Sequence, residues 1–336
     1  MSNSTFPNKL SRATAGAMFL ALAVVGEAQA ATLASSFSSF YSLTDLGVVP
    51  ELPITYAGMT FKAGDPNTLL IGGAANTFNA GIYAVTVTRG DNNHITGFGA
   101  ASLFAKAPGF PGLGEGGVDA SLAYSPQGNV LFYTSYPDNS IGQIKQGSTG
   151  PDKQIDLSTS FGIPVSTGGL NFVPQGFAGA GRLKFTSYTA NIFYDTTITP
   201  DGLGTYDIAA PGKSIQLSGG LDSFNYIKAQ NPGFATDSLL LLEYDAGKIA
   251  AYAIDDNGDP IADTRQDFVT DINLPIGSTI DPLTGDLLFS SQSAEDPKVF
   301  LIQGFNKPTS VPEPTGGVAT LAVLGLGLLL KKKIAH

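Results

Sequence analysis

Five short apolar runs recur along the middle of the chain at nearly regular intervals. They begin at residues 69, 131, 183, 239 and 287, so successive runs start 62, 52, 56 and 48 residues apart. A turn rich in Gly, Pro or Asp precedes each run, and other β-branched or alternating segments flank it. A period near 50 residues with about four strands per unit predicts the blades of a β-propeller. The runs read LLIGGA, LFYTSY, LKFTSY, LLLLEY and LLFSSQ.

The predicted fold is an all-β propeller over residues 31–310, with about five four-stranded blades. The last unit ends after its third strand, at 299–303, and an extra strand around 40–46 precedes the first unit. We expect this extra strand to complete the last blade and close the ring, which removes exposed sheet edges. A sixth blade is expected if the irregular stretch 89–117 contains one. The alternatives are a two-sheet sandwich and an irregular β-solenoid.

The composition excludes several kinds of chemistry. A chain with 43% hydrophobic residues is not disordered, and the absence of Cys excludes disulfides, thiol nucleophiles and cysteine metal sites. His94 is the single histidine in residues 31–310, so a multi-histidine zinc site is excluded. The sequence has no G-x-S-x-G elbow, no P-loop and no strand-to-helix G-x-G-x-x-G unit.

The predicted propeller is strongly acidic. Residues 31–310 contain 13 basic and 26 acidic side chains, a net charge near −13. Nucleic-acid binding needs clustered Lys and Arg, so this balance argues against a nucleic-acid partner. It suits an extracellular protein and attracts cations such as Ca²⁺.

Residues 1–30 have the pattern of a secretory signal peptide. Basic residues near the start precede an apolar run at 15–25, which is too short to span a bilayer. An A-x-A cleavage site follows, and it consists of Ala28 and Ala30, with Ala31 as the first mature residue. The alternative is a short N-terminal membrane anchor.

The C-terminal segment, 311–336, carries a second apolar run. Residues 316–330 are uncharged, and as a helix they span about 22 Å, less than the roughly 30 Å of a hydrocarbon core. Lysine side chains can snorkel to compensate for part of this difference. The positive-inside rule places the three lysines in the cytoplasm and the propeller outside. The basic cluster is Lys331, Lys332 and Lys333.

Pro312, Glu313 and Pro314 lie directly before this run. Together with the short Gly/Leu-rich helix and the basic end, they resemble a PEP-CTERM sorting tail over residues 311–333, although the family often has Arg where this chain has Lys. The resemblance implies recognition by an exosortase, a membrane transpeptidase-like enzyme of Gram-negative bacteria. It also implies an association with exopolysaccharide and biofilm matrix. The alternative is an ordinary C-terminal transmembrane anchor.

Two turns, at 125–129 and 281–285, resemble those of gluconolactonase and strictosidine-synthase-like propellers. In the lactonase-like members, Glu, Asn and Asp surround a divalent ion. That resemblance implies a comparable ligand chemistry, without a residue-by-residue match here.

The repeat register predicts a ring of oxygen ligands at one end of the channel. Asp119 and Asp222 occupy one column of the first strands, and Asn171 and Asn225 recur three to four residues further on. Glu115 lies in a loop that enters this ring. Carboxylate and amide oxygens suit Ca²⁺. The alternative is that these side chains cap turns through their own backbone.

Two other columns of the repeat carry polar or aromatic groups. Glu243 stands where the other units have Gly or Ser, and a carboxylate in that position is a candidate acid or base or ligand contact. Its alternative is a paired or solvated residue near a strand end. Tyr136, Tyr188 and Tyr244 recur in the next column and predict either an aromatic face for sugars or rim packing.

The acidic segment 255–259, DDNGD, superficially resembles a calcium loop. It lies between two predicted strands and lacks the downstream Glu of an EF-hand. A hairpin turn is therefore the better prediction.

The sequence favours an exported, surface-tethered propeller without catalytic activity. Its expected partners are the sorting enzyme, the membrane, and matrix exopolysaccharide or other surface proteins. The alternatives are a Ca²⁺-dependent hydrolase of the lactonase type and a glycosidase that uses two carboxylates.

Overall fold

The computed structural model describes residues 30–113 and 116–306, and the regular secondary structure of this part of the chain is almost entirely β-strand. The strands form five antiparallel sheets and one two-stranded ribbon. The innermost strands of neighbouring sheets contact one another in a closed order, so the sheets are the blades of a five-bladed propeller. The predicted fold is confirmed, and the sandwich and solenoid alternatives are wrong.

The first half of the chain forms two blades. Two short strands come first, β1 (Thr32–Leu33) and β2 (Ser42–Gly47). Blade 1 comprises β3 (Met59–Lys62), β4 (Asp65–Gly73), β5 (Gly81–Arg89), β6 (Ile95–Phe98) and β7 (Ser102–Lys106). Blade 2 comprises β8 (Gly117–Tyr124), β9 (Val130–Tyr136), β10 (Ser140–Lys145) and β11 (Lys153–Asp156).

The second half forms three blades. Blade 3 comprises β12 (Thr167–Phe172), β13 (Leu183–Ser187), β14 (Ile192–Thr196) and β17 (Lys213–Gln216), with the ribbon of β15 (Ile198–Pro200) and β16 (Tyr206–Ile208) inserted. Blade 4 comprises β18 (Leu221–Ile227), β19 (Ser238–Glu243), β20 (Lys248–Ala253) and β21 (Gln266–Thr270). Blade 5 comprises β22 (Pro275–Ile280), β23 (Leu287–Ser291) and β24 (Val299–Gln303). The short helices are α1 (Leu157–Phe161) and two 3₁₀ turns, Asp91–Asn93 and Ala262–Thr264.

The N-terminal strands close the ring. β2 pairs antiparallel with β24 and supplies the fourth strand of blade 5, as predicted. β1 adds a fifth strand to blade 4 beside β21. Within 89–117, β6 and β7 both pair with β5, so this stretch belongs to blade 1 and the described chain has no sixth blade.

An aromatic cluster fastens the closing segment to the last two blades. The ring centroids of Tyr41 and Phe305 lie 4.5 Å apart, and those of Phe37 and Phe268 lie 4.9 Å apart. Phe234 completes the cluster, and all five side chains are buried. Burial of large aromatic rings is a strong source of stability, so the closure rests on packing as well as on strand pairing.

The innermost strands of four blades carry a register irregularity at a similar height. In three of these blades, an N–H group freed there is satisfied by a hydroxyl of the second strand. Gly169 N–H donates to Thr186 Oγ1 (2.7 Å), and Gly277 N–H donates to Ser290 Oγ (3.2 Å). The Thr186 hydroxyl also donates to the Leu221 carbonyl of the next blade (3.0 Å). The recurring Thr and Ser of the repeat therefore bridge neighbouring blades.

Glycines allow the innermost strands to approach one another closely. A Cβ atom on Gly277 would lie 2.3 Å from the Ala57 carbonyl oxygen, and one on Gly169 would lie 2.3 Å from that of Asp222. A Cβ on Gly58 would meet the backbone of the next blade at 2.4 Å. Five strands therefore meet near the axis at mid-height, and the space along the channel is divided into two cavities with no lining residue in common.

The acidic segment 255–259 forms a tight turn, as predicted. The Asp255 carboxylate accepts two backbone N–H groups of the same turn at 2.9 and 3.0 Å. The Asp259 carboxylate, at the end of the turn, is buried and paired with the Lys184 ammonium of blade 3. Lys184 Nζ also lies 2.6 Å from Asp195 Oδ1. Asp259 therefore holds two blades together.

The predicted signal peptide and sorting tail lie outside the described residues, except that Ala30 and Ala31 directly precede β1. Within the two described stretches, no helix combines the length and the apolar character needed to cross a bilayer.

We predict that Gly277→Ala destabilises the propeller because the added Cβ has no space between two backbones. Overpacking of this kind costs about 1–3 kcal/mol. Gly97→Ala, also on a strand, is the matched control because a Cβ there meets no atom within 4 Å. Thermal denaturation should show a clearly lower melting temperature than that of the wild type for Gly277→Ala alone. Equal melting temperatures would contradict the close approach.

Candidate functional site

The narrow cavity lies at the end of the channel where the innermost strands begin. Its volume is about 100 Å³, enough for an ion or a few water molecules. The wall combines the starts of inner strands with residues that follow second strands. Its lining residues are Asn76, Asp119, Tyr136, Tyr188, Asp222, Tyr244, Ile276 and Gln292.

Three tyrosines and a glutamine form a collar around the narrow cavity. Tyr136 and Tyr188 meet edge to face with ring centroids 6.3 Å apart, and Tyr188 and Tyr244 do so at 5.8 Å. The Tyr244 hydroxyl donates to Gln292 Oε1 (2.8 Å), which continues the collar into blade 5. The Tyr188 hydroxyl donates to Asp245 Oδ1 (2.7 Å). These contacts agree with the rim-packing interpretation of the tyrosine column.

Asp119 and Asp222 point into this cavity and are only 5% and 3% exposed. Burial raises the pKa of Asp119 to about 7, although hydrogen bonds from Asn76 and the Ala120 backbone oppose the shift. Burial also raises the pKa of Asp222 well above its usual range, and the negative charges of Asp119 and Asp245 add to this effect. Burial of the two carboxyls therefore favours their protonated forms, and it also favours any cation that binds beside them.

The wide cavity lies at the opposite end, where the innermost strands finish, and its volume is about 950 Å³. Asn171 and Asn225 line it. Asn171 Nδ2 donates to the Phe224 carbonyl (2.9 Å), and Asn225 Nδ2 donates to Ser278 Oγ (2.7 Å). Each bond reaches the next blade, so the two amides are held in fixed orientations.

The four predicted ring ligands therefore do not share one ring. Asp119 and Asp222 meet in the narrow cavity, whereas Asn171 and Asn225 line the wide one. Three residues of extended chain span about 10 Å, and the closely packed backbones lie between the two levels. Glu115, the fifth candidate, lies outside the described residues.

Glu243 is held in an ion pair away from both cavities. The Arg265 guanidinium donates to Glu243 Oε1 (2.8 Å) and Oε2 (2.5 Å), and the Tyr252 hydroxyl donates to Oε1 (2.8 Å). A bidentate, charge-assisted pair of this kind fixes the orientation of the Glu243 carboxylate. The geometry supports the paired interpretation of Glu243, and it offers this side chain no substrate to act upon.

Sequence reasoning missed several lining residues. Gln292 occupies the same repeat column as the three tyrosines, so the register contained the signal for it. Asn76 lies two residues beyond that column, in the turn after β4, and has a left-handed backbone with φ of 62°. The amides at the rim of the wide cavity come from loops with no repeat register. They include Gln175, Gln230, Asn231 and Asn306.

The described residues contain no group of three or more His, Asp or Glu side chains with metal-binding geometry. The narrow cavity has two carboxylates and the Asn76 amide. Any cation held there would therefore take amide and water oxygens as further ligands.

Comparisons with known proteins leave the function open. No family model and no curated protein matches the chain. The aldose sugar dehydrogenase of Escherichia coli is 11% identical, with a TM-score of 0.43 over 77% of this chain and 86% of that chain. The glutaminyl cyclase of Myxococcus xanthus is 9% identical, with a TM-score of 0.46 over 81% and 95%. Similarities this low carry no argument about function.

We predict that the acid pair makes stability fall as the pH rises. The raised pKa values mean that, between about pH 4 and pH 7, the folded state keeps protons that the unfolded state has lost. The free energy of unfolding therefore decreases through this window and stays low above it. In the presence of EDTA, Asp119→Asn/Asp222→Asn should melt higher than the wild type at pH 8 and similarly at pH 4.

The expected difference at pH 8 is several degrees, because each kcal/mol shifts the melting temperature by about 2 °C or more in a domain of this size. Asp256→Asn is the control, since it removes one carboxylate from an exposed turn. If the melting temperatures of the wild type and the double variant changed in parallel with pH, the raised pKa values of the two acids would be contradicted.

Proposed function

We propose that this chain is an exported, non-catalytic propeller that binds extracellular polysaccharide in its wide cavity. The observation that carries the proposal is the chemistry of that cavity. Its lining includes neither carboxylate nor imidazole among the described residues, and it combines amides with aromatic rings. Ligand pockets of roughly 300–1,000 Å³ with apolar walls and a few fixed polar groups are typical small-molecule and oligomer sites.

The lining suits an uncharged, hydroxyl-rich ligand. Tyr124 and Phe177 are partly exposed in the cavity wall, and the Lys228 ammonium lies over one face of the Phe177 ring, 3.9 Å from its centroid. Tyr124 therefore offers the flat apolar face. Asn171 and Gln175 add amide groups, which can donate and accept hydrogen bonds. Lys228 is the one Lys or Arg of the lining, and Asp237 at 2.8 Å balances its charge. A neutral sugar chain matches this surface better than an anion or a nucleic acid.

The positions of carboxylates and amides in the two cavities also help to choose between binding and the alternative hydrolase functions. General acid–base chemistry on a sugar or lactone needs carboxylates beside the space for substrate. Asp119 and Asp222 face the cavity of about 100 Å³, whereas the larger space contains amides. This separation favours binding over hydrolysis as the activity of the wide cavity.

The proposal that the protein is exported rests on the two ends of the chain. Residues 1–30 have the pattern of a signal peptide, and residues 311–333 resemble a PEP-CTERM tail. A protein that is exported and sorted in this way would lie beside matrix polysaccharide. Its predicted location and the chemistry of the wide cavity therefore support the same class of ligand.

We predict that Tyr124→Ala and Gln175→Ala weaken binding to exopolysaccharide extracted from cells that express the protein. Loss of an aromatic contact costs roughly 1–2 kcal/mol, so we expect about a fivefold or greater loss for Tyr124→Ala. Affinity electrophoresis in gels that contain the polysaccharide measures the effect. Tyr83→Ala is the matched control, because Tyr83 lies on β5 away from both cavities. Equal retardation of all variants would contradict the proposal.

We predict that alanine at Pro312, Glu313 and Pro314 prevents recognition by the sorting enzyme while the apolar run remains. The variant should stay in the membrane fraction with its tail intact. Fractionation of the native cells and the intact mass of the chain measure this outcome, with Pro308→Ala as the control. Identical location and mass for the wild type and the triple variant would contradict the sorting role.

A further inference from the structure

The narrow cavity holds two buried carboxylates without a cationic partner. Its described lining includes no Lys, Arg or His, although Asp119 and Asp222 are both more than nine-tenths buried. Two other buried acids in the described chain have such a partner: Asp259 contacts Lys184, and Glu243 contacts Arg265. A buried carboxylate without compensation is costly, so something must balance this pair.

Two further observations point to a bound ligand. The Asn76 carbonyl oxygen, Oδ1, is buried and lacks a hydrogen-bond partner, and Asn76 lines the same cavity. Asp222, only 3% exposed, faces the cavity, and the groups that influence it are two negative charges and no hydrogen-bond donor. Unsatisfied buried acceptors are rare in folded proteins. The Asp222 carboxylate and the Asn76 oxygen therefore lack donors at the lining of one small cavity, and a bound cation would satisfy them.

We propose that the narrow cavity binds one calcium ion through the Asp119 and Asp222 carboxylates and the Asn76 amide oxygen. Ca²⁺ takes six to eight oxygen ligands in flexible geometry, whereas Mg²⁺ demands a near-ideal octahedron. Water fills the remaining positions, for which a cavity of about 100 Å³ has room. The collar of tyrosines limits the exchange of this water with bulk solvent.

The ligand set differs from the one that the repeat register predicts. It keeps Asp119 and Asp222, replaces Asn171 and Asn225 by Asn76, and lies in a cavity separate from the proposed polysaccharide site. With only two carboxylates, the expected dissociation constant is that of weak extracellular calcium modules, roughly 10⁻⁴–10⁻³ M. The calcium proposal is therefore independent of the ligand in the wide cavity.

The test uses the purified full chain, stripped with EDTA and then titrated with CaCl₂ to about 10 mM, well above the expected dissociation constant. Calorimetry should report one site, and the melting temperature should rise with Ca²⁺, because a ligand that binds only the folded state stabilises it. Asp119→Asn/Asp222→Asn should fold, melt at least as high as the stripped wild type, and lose the calcium response. Asn76→Ala should weaken binding.

Asp256→Asn distinguishes the acidic turn from the narrow cavity, and it should bind Ca²⁺ like the wild type. Tb³⁺ provides a second readout, since the chain has no Trp and Tb³⁺ in this cavity would be excited through the tyrosine collar. Asp119→Asn/Asp222→Asn should lose that luminescence, whereas Asp256→Asn should keep it. The proposal is overturned if Ca²⁺ has no effect on the wild type, which would leave a shared proton as the balancing charge. It is also overturned if the Asp119/Asp222 variant responds normally, or if Asp256→Asn loses the response.

Discussion

The close approach of the five innermost strands is the constraint on which the rest of the structure depends. Where Gly58, Gly169 and Gly277 face a neighbouring blade, the backbones leave no space for a side chain. The ring can close with five blades because the wall of the channel is backbone at this height. The second-strand hydroxyls of Thr186 and Ser290 then satisfy the N–H groups that the irregular register frees. The same packing closes the ring and divides its channel.

That division explains why one propeller has two ends with different chemistry. All innermost strands run in the same direction, so residues near their starts share one cavity and residues near their ends share the other. Asp119 and Asp222 stand at the starts, and Asn171 and Asn225 stand at the ends. A single strand, β18, therefore contributes a carboxylate to the narrow cavity and an amide to the wide one.

The architecture was predictable from the repeat, because a period near 50 residues indicates one blade per repeat, with about four strands that pair with one another. It also predicted the closing strand, since the last unit was one strand short. The register placed Asp119 and Asp222 in one column, and both line the narrow cavity. It did not show that the closely packed backbones of β12 and β18 lie between that column and Asn171 and Asn225. Asn76 and the rim amides lie on turns whose shape depends on tertiary contacts, and a periodic pattern carries no information on those.

The hydrogen bonds between blades give the wide cavity a fixed shape before any ligand arrives. Asn225 is bonded to Ser278 of blade 5, and Asn171 of blade 3 is bonded to the Phe224 carbonyl of blade 4. Polar groups fixed in this way lose little conformational entropy on binding, which favours affinity. A change in cavity shape would therefore require neighbouring blades to move, and the glycine contacts at mid-height oppose such movement. These contacts hold the strands that line the wide cavity in one arrangement, which agrees with the proposed binding of a polysaccharide.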